Sequence, residues 1–131
     1  CLELVASATG IVREAKKAMK NTDTPTPLRD MVDITAKDVI DLAKTGDALA
    51  LSVMDIMGDA LARAIANVAC TVNMEAVVIG GGVSKAGAFL LDFIEEKFKK
   101  VVFRPCGNVK FIMAELGNDG GIYGAAALVL G

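Results

Sequence analysis

Three groups of residues have types and spacings that point to chemistry. The first is Val77-Val78-Ile79-Gly80-Gly81-Gly82-Val83-Ser84-Lys85-Ala86-Gly87. A β-branched run empties into three consecutive glycines and a helix start follows, which reads as a strand, a tight turn and a helix N-terminus. Ligands of open α/β sheets bind in the crevice at the carboxyl ends of strands. Glycines there admit close approach to the backbone and supply positive φ without steric cost. Taken alone, these residues leave two readings open: a plain βα turn, or a loop that cradles a nucleotide or another small ligand. Three successive glycines carry an entropic cost that a plain turn does not require, which favours ligand contact. The usual phosphate motifs do not match. Gly87 is followed by Ala88-Phe89 where a P-loop needs Lys-Ser/Thr, and Lys85 stands where the last glycine of G-x-G-x-x-G belongs.

The second group is Cys1-Leu2-Glu3, in which the carboxylate suits a helix cap, a lysine pair or plain solvation. The third is the set of three cysteines, Cys1, Cys70 and Cys106, too few for a disulfide framework. Cys70 lies in an apolar helical stretch and is expected to be a small buried hydrophobe. Cys106, in Pro-Cys-Gly, reads as a turn residue. The chain has no histidine, which excludes catalytic triads and histidine-based metal sites within it.

These groups need elements to position them. A helix over 9–20 would put Ile11, Ala15, Ala18 and Met19 inward and Arg13, Glu14, Lys16, Lys17 and Lys20 outward. Pro25 and Pro27 interrupt the connector that follows. Thr35, with Asp38 three residues on, predicts a capped helix ending near Gly46, with Val39, Ile40 and Leu42 inward. Asp47 should cap a long helix to about Val72, with Leu49, Val53, Met54, Met57, Leu61, Ile65, Val68 and Val72 at helical spacing. Its few polar residues, mainly Asp55, Asp59 and Arg63, predict burial on more than one side. A strand over 75–79, a helix over 84–101, a strand over 109–114, a turn over 116–121 capped by Asn118 or Asp119, and an alanine-rich helix over 120–130 complete the reading. The order strand–helix–strand–helix predicts two parallel strands with a right-handed crossover. Two strands make a poor sheet alone, so further strands are expected from sequence upstream.

The 131 residues are 53% hydrophobic and 23% charged, with a net charge of −2. This describes a folded body. It leaves no electrostatic footprint for nucleic acid or an anionic membrane. No apolar run reaches the length of a membrane span. With no signal-peptide pattern, the cytoplasm is the expected compartment. The chain starts at Cys1 without an initiator methionine and reads as the C-terminal piece of something longer.

Cys1-Leu2-Glu3, followed by Ala6-Ser7-Ala8-Thr9-Gly10-Ile11-Val12-Arg13, resembles the end of the signature of the ROK family of bacterial sugar kinases and sugar-responsive repressors. That signature is a cysteine-rich zinc loop closing on Cys-x-Glu; its upstream cysteines and histidine are absent here. The glycine run with Val83 to Gly87 resembles the family's adenosine motif. Leu116-Gly117-Asn118-Asp119-Gly120-Gly121-Ile122-Tyr123-Gly124-Ala125-Ala126 looks like its C-terminal element. The matches come in the family's order and cover nearly the whole chain. Within the family, Ala6 to Arg13 and the long central helix are most similar to the glucokinases of Gram-positive bacteria.

The resemblance implies an α/β fold, the C-terminal lobe of an actin-like ATPase (ribonuclease H-like), over residues 1–131, with the N-terminal lobe absent. It implies transfer of the γ-phosphoryl of Mg·ATP to the 6-hydroxyl of glucose by the full-length protein, and no activity from this lobe alone. Glu3 would accept hydrogen bonds from sugar hydroxyls. Gly80, Gly81, Gly82 and Val83 would belong to the adenosine pocket, although a helix N-terminus by itself suggests phosphate. Cys1 would be a structural Zn²⁺ ligand in the parent, with zinc absent from the lobe alone, since one thiolate cannot hold it. The catalytic aspartate would lie outside this chain. The expected partners are glucose, ATP and further copies of the protein, with no nucleic acid or membrane. The sugar-sensing domain of a ROK repressor, or a kinase for another hexose such as fructose or N-acetylmannosamine, are the alternatives.

Overall fold

The computed structural model describes residues 1–81, 87–115 and 120–130. The elements in chain order are α1 (Glu3–Ala6), α2 (Ala8–Asn21), α3 (Ala36–Lys44), α4 (Ala48–Val72), β1 (Ala76–Ile79), α5 (Ala88–Val101), β2 (Lys110–Met113) and α6 (Gly120–Leu130). Short 3₁₀ turns occupy Pro27–Asp30 and Arg104–Cys106.

The helix starts follow their capping residues. Ser7 Oγ accepts from the Gly10 N–H at 3.0 Å, so α2 begins one residue before the expected Thr9. Thr35 and Asp38 form the reciprocal capping box at α3: Thr35 Oγ1 accepts from the Asp38 N–H and Asp38 Oδ2 accepts from the Thr35 N–H at 2.9 Å. Asp47 Oδ1 accepts from the Ala50 N–H at 2.7 Å at the head of α4, which ends at Asn73 in the left-handed region. The connector between α2 and α3 is held by Arg29, which donates to the carbonyls of Met19, Thr22 and Thr24.

α4 is the spine. It packs against α1, α2 and α3 on one side and α5 on another. Leu49, Val53, Met54, Met57 and Ile65 are buried as their spacing predicts. Val68 and Val72 are exposed, against expectation. The reason is length: at 1.5 Å per residue α4 runs about 37 Å, α3 about 13 Å and α2 about 21 Å, so the C-terminal turns outrun their cover. The face that stays covered is made of small residues, Gly58, Ala62, Ala66 and Ala69. A Cβ on Gly58 would stand 2.7 Å from Lys97 Cδ and from Phe93 Cε1, so α5 crosses close to the α4 backbone there. Lys97 then reaches Asp55 at 2.8 Å and Asp59 at 2.7 Å, tying α5 to α4. The expected Glu95–Lys99 and Glu96–Lys100 pairs both form, at 2.6 Å, on the solvated face of α5.

β1 and β2 pair in parallel, in the register Ala76↔Lys110, Val77↔Phe111, Val78↔Ile112 and Ile79↔Met113. Val77, Ile79, Phe111 and Met113 face inward, where Phe98 of α5, 1% exposed, meets Phe111 edge-on at 5.2 Å between ring centroids. The partnered residues Val78 and Ile112 are 64% and 44% exposed on the opposite face. The first three residues of the helix expected over 84–101 lie outside the described residues; Gly87, with φ of 68°, is its N-cap, and α5 proper starts at Ala88. The turn over 116–119 and its capping residues also lie outside them. α6 forms where expected and exposes Ile122, Tyr123, Leu128 and Val129. No helix among the described residues is long and apolar enough to cross a membrane.

Cys70 is exposed, which corrects the expectation of a buried hydrophobe. It lies next to the fully buried Ala69, on a side of α4 turned to solvent. Cys106 ends the second 3₁₀ turn and is half-buried against the core.

Candidate functional site

The residues singled out by sequence fall on two parts of the molecule. Cys1 and Glu3 lie at the start of the chain and are both exposed. Glu3 opens α1, a single turn nucleated by the Leu4 N–H donating to the Cys1 carbonyl at 3.1 Å. A four-residue helix has little stability of its own. Its placement comes from α2 and α4, against which it packs.

Two residues of α2 fix that placement. A Cβ on Gly10 would stand 2.6 Å from the Leu4 carbonyl oxygen and 2.8 Å from that of Val5, so only glycine lets α1 fold back on α2 this closely. Arg13 Nη2 donates to the Leu4 carbonyl and so satisfies an acceptor at the end of a short helix. Gly10 and Arg13 therefore hold in place the turn that carries Glu3. Both lie within the family-like stretch, but nothing in their spacing gives this role. The sequence signal that was available is Ser7-x-x-Gly10, a cap followed by a glycine where a helix interior disfavours one.

Gly80 and Gly81 form the second part, at the carboxyl end of β1, and both are exposed. A Cβ on Gly80 would lie 3.1 Å from the Ala114 Cβ, across the end of the parallel pair. The Ala114 N–H donates to the Ile79 carbonyl at 2.9 Å, so the strand ends stay joined up to the turn. Gly81 has φ of 82°, which a side chain rarely adopts. The glycines thus leave an exposed ledge without side chains at the end of the strand. Gly82 and Val83, the other expected members of the nucleotide site, lie outside the described residues.

A tetrahedral structural zinc site takes four donors. Cys1 supplies one, and among the described residues no three His, Cys, Asp or Glu side chains are grouped to hold a metal ion. The described residues by themselves do not make up a zinc centre.

The arrangement is a helical layer carrying a carboxylate at one margin and a parallel strand pair ending in a glycine ledge, which is the C-terminal half of an actin-like ATPase fold. A ROK glucokinase from Streptomyces griseus, solved in complex with glucose and AMPPNP, superposes over 98% of this chain and 44% of that one, with a TM-score of 0.81 and 29% identity. The ROK family model matches residues 1–131, and the chain belongs to the ROK family. It is 44% identical over 98% of its length to a glucokinase of Halalkalibacterium halodurans. It also superposes, over 86% of its length with a TM-score of 0.73 and 29% identity, on a ROK family transcriptional regulator that is a homologue of the Escherichia coli MLC protein. The chain spans about 40% of the length of the curated glucokinase it matches.

Proposed function

We propose that this chain is the C-terminal lobe of an ATP-dependent glucokinase, transferring the γ-phosphoryl of Mg·ATP to the 6-hydroxyl of glucose. The observation that carries the reading is the 44% identity to a glucokinase across nearly the whole chain. A likeness to a glucokinase holding glucose and AMPPNP supports the same substrates. Glu3 is the sugar ligand: an exposed carboxylate accepts from two hydroxyls at once and fixes the sugar's orientation. Gly80, Gly81, Gly82 and Val83 form the floor of the nucleoside pocket, where a missing Cβ lets the nucleoside lie against backbone. Cys1 completes a zinc site whose other donors lie in the rest of the parent protein. The proton of the attacking hydroxyl goes to a carboxylate outside this chain, and phosphoryl transfer rests on positioning and charge neutralisation. The full-length protein works in the cytoplasm, in sugar catabolism, as a homo-oligomer.

The test is a coupled assay of ADP release by the full-length protein, with residues 1–131 alone beside it, against glucose, fructose and N-acetylmannosamine. Glucose-dependent turnover by the full-length protein only is expected. In that protein, Glu3→Gln should lower kcat/KM for glucose about 10- to 100-fold, the loss of one charged hydrogen-bonding group. Preference for another hexose would move the substrate assignment.

The second reading is the sugar-sensing domain of a repressor, favoured by the superposition on the transcriptional regulator. No turnover with any sugar, alongside sugar-dependent release of the full-length protein from operator DNA, would establish it in place of the kinase.

A further inference from the structure

The helices do not treat their lysines alike. Lys37, Lys44, Lys97, Lys99 and Lys100, the lysines of α3 and α5, each hold a carboxylate at 2.6 to 3.3 Å. On α2, Arg13, Lys16, Lys17 and Lys20 recur at i, i+3, i+4 and i+7, so all four share one exposed face. Glu14 is the only carboxylate of that helix, and it pairs with Arg13 at 3.3 Å and Lys17 at 3.6 Å. Lys16 and Lys20 have no ion-pair partner among the described residues. Like charges at i, i+4 repel, so the helix keeps an unrelieved repulsion there.

Beside these two lysines the surface is concave and apolar. A groove of about 380 Å3 between α2 and the segment after it is lined by Lys16, Lys20, Leu28, Met31, Val32 and Ile34, and Val32 is 94% exposed. Arg29, a further cation of that groove, is committed to the carbonyls of Met19, Thr22 and Thr24. A second groove, of about 340 Å3, shares Ile34 and is lined by Ala8, Val12 and Ala36. Together they follow α2 from Lys20 to Ala8, a rise of about 18 Å. Cys1, Glu3 and the glycine ledge line neither groove.

We infer that this trough along α2 binds an aliphatic carboxylate, a free medium-chain fatty-acid anion. Its head lies between Lys16 and Lys20, and its chain lies over Leu28 and Ile34 toward Val12. Two cations without partners set the sign of the head. The apolar lining sets the nature of the tail, because covering it removes apolar surface from water. A phosphate or a sugar would leave that lining unused, and a neutral hydrocarbon would leave the lysines unpaired. Binding is reversible and needs no residue of the proposed sugar or nucleotide sites.

The test titrates the isotope-labelled 131-residue chain with monomeric octanoate at fixed ionic strength and follows the backbone amides by NMR. Saturable shifts confined to α2 and residues 28–36 are expected. Octanoate should bind about 3- to 10-fold more tightly than hexanoate, the effect of two methylenes partly buried. Acetate, which lacks the tail, and octanol, which lacks the charge, should both bind more weakly than octanoate. Lys16→Gln and Lys20→Gln should each weaken octanoate about 3- to 5-fold. Neither should lower the Tm, since each removes a repulsion from an exposed face. Octanol binding as tightly as octanoate, unchanged affinity in both lysine variants, shifts centred on another surface such as Val78 and Ile112, or no saturation would each overturn the inference.

Discussion

The α1–α4 layer and the strand pair with α6 are finished to different degrees. In the helical layer Ile11, Val39, Val53 and Met54 are fully enclosed, and every helix from α2 to α4 starts on a side-chain cap. In the sheet, two four-residue strands leave Val78 and Ile112 facing out, and α6 leaves Ile122 and Leu128 72% and 88% exposed. Helices satisfy their own backbone and need only one apolar face covered, so the four of this layer suffice to enclose these residues. A parallel sheet has two faces to cover and edges to pair. The helical layer therefore carries the stability, and the strand pair with α6 leaves the larger apolar surface uncovered.

The largest effect should come from the residue that joins the two regions. Phe98→Ala removes the ring packed between α4 and Phe111, and should destabilise the chain by about 3–5 kcal/mol in urea unfolding. An unchanged midpoint would mean that the sheet does not share the helical core. Gly10→Ala should cost about 1–3 kcal/mol, because the added methyl meets backbone carbonyls that cannot yield without moving α1. In the full-length protein it should also lower kcat/KM for sugar by displacing Glu3, while leaving KM for ATP unchanged. A variant that loses stability but keeps sugar kinetics would separate α1 placement from binding.

Thr35→Ala should cost about 1 kcal/mol by removing the α3 capping box. It also changes the pH dependence. The Thr35 hydroxyl, then its N–H, hold the Asp38 carboxyl below the usual carboxylate range. A depressed folded-state pKa contributes stability that is present above the unfolded value of about 4 and lost as pH falls through the folded one. Acid titration of stability should therefore be shallower in Thr35→Ala and in Asp38→Asn than in the parent chain. Ile122→Ala in α6 should shift stability by less than about 0.5 kcal/mol, since the side chain is already in water. A larger loss would show that α6 is packed in solution. Native-state hydrogen exchange sharpens the comparison: amides of α4 near Met54 should open last, and those of α6 and β2 first.

Much of this contrast was legible before any coordinates. Thr35 and Asp47 announced helix starts because a short oxygen-bearing side chain before an apolar period has few other uses. The parallel pairing followed from strand, helix, strand order. Val68 and Val72 were misread because helical periodicity identifies a face without saying how far along the helix a neighbour extends, and Cys70 because an apolar stretch does not say which of its sides is covered. The glycine ledge was legible as a turn. The roles of Gly10 and Arg13 were not, since both act through the Leu4 carbonyl, and no local pattern names a partner that depends on how two helices fold back on each other.

By itself, then, the sequence determined what is local and periodic: the caps, the order of elements, the glycines at the end of β1 and the family to which the chain belongs. Only the tertiary structure decided which apolar residues are covered, that Lys97 spans Asp55 and Asp59, and that Phe98 couples the layers. Each of these depends on the lengths and crossings of helices distant in sequence. Those are set by how the whole core closes, and no window along the chain contains that information.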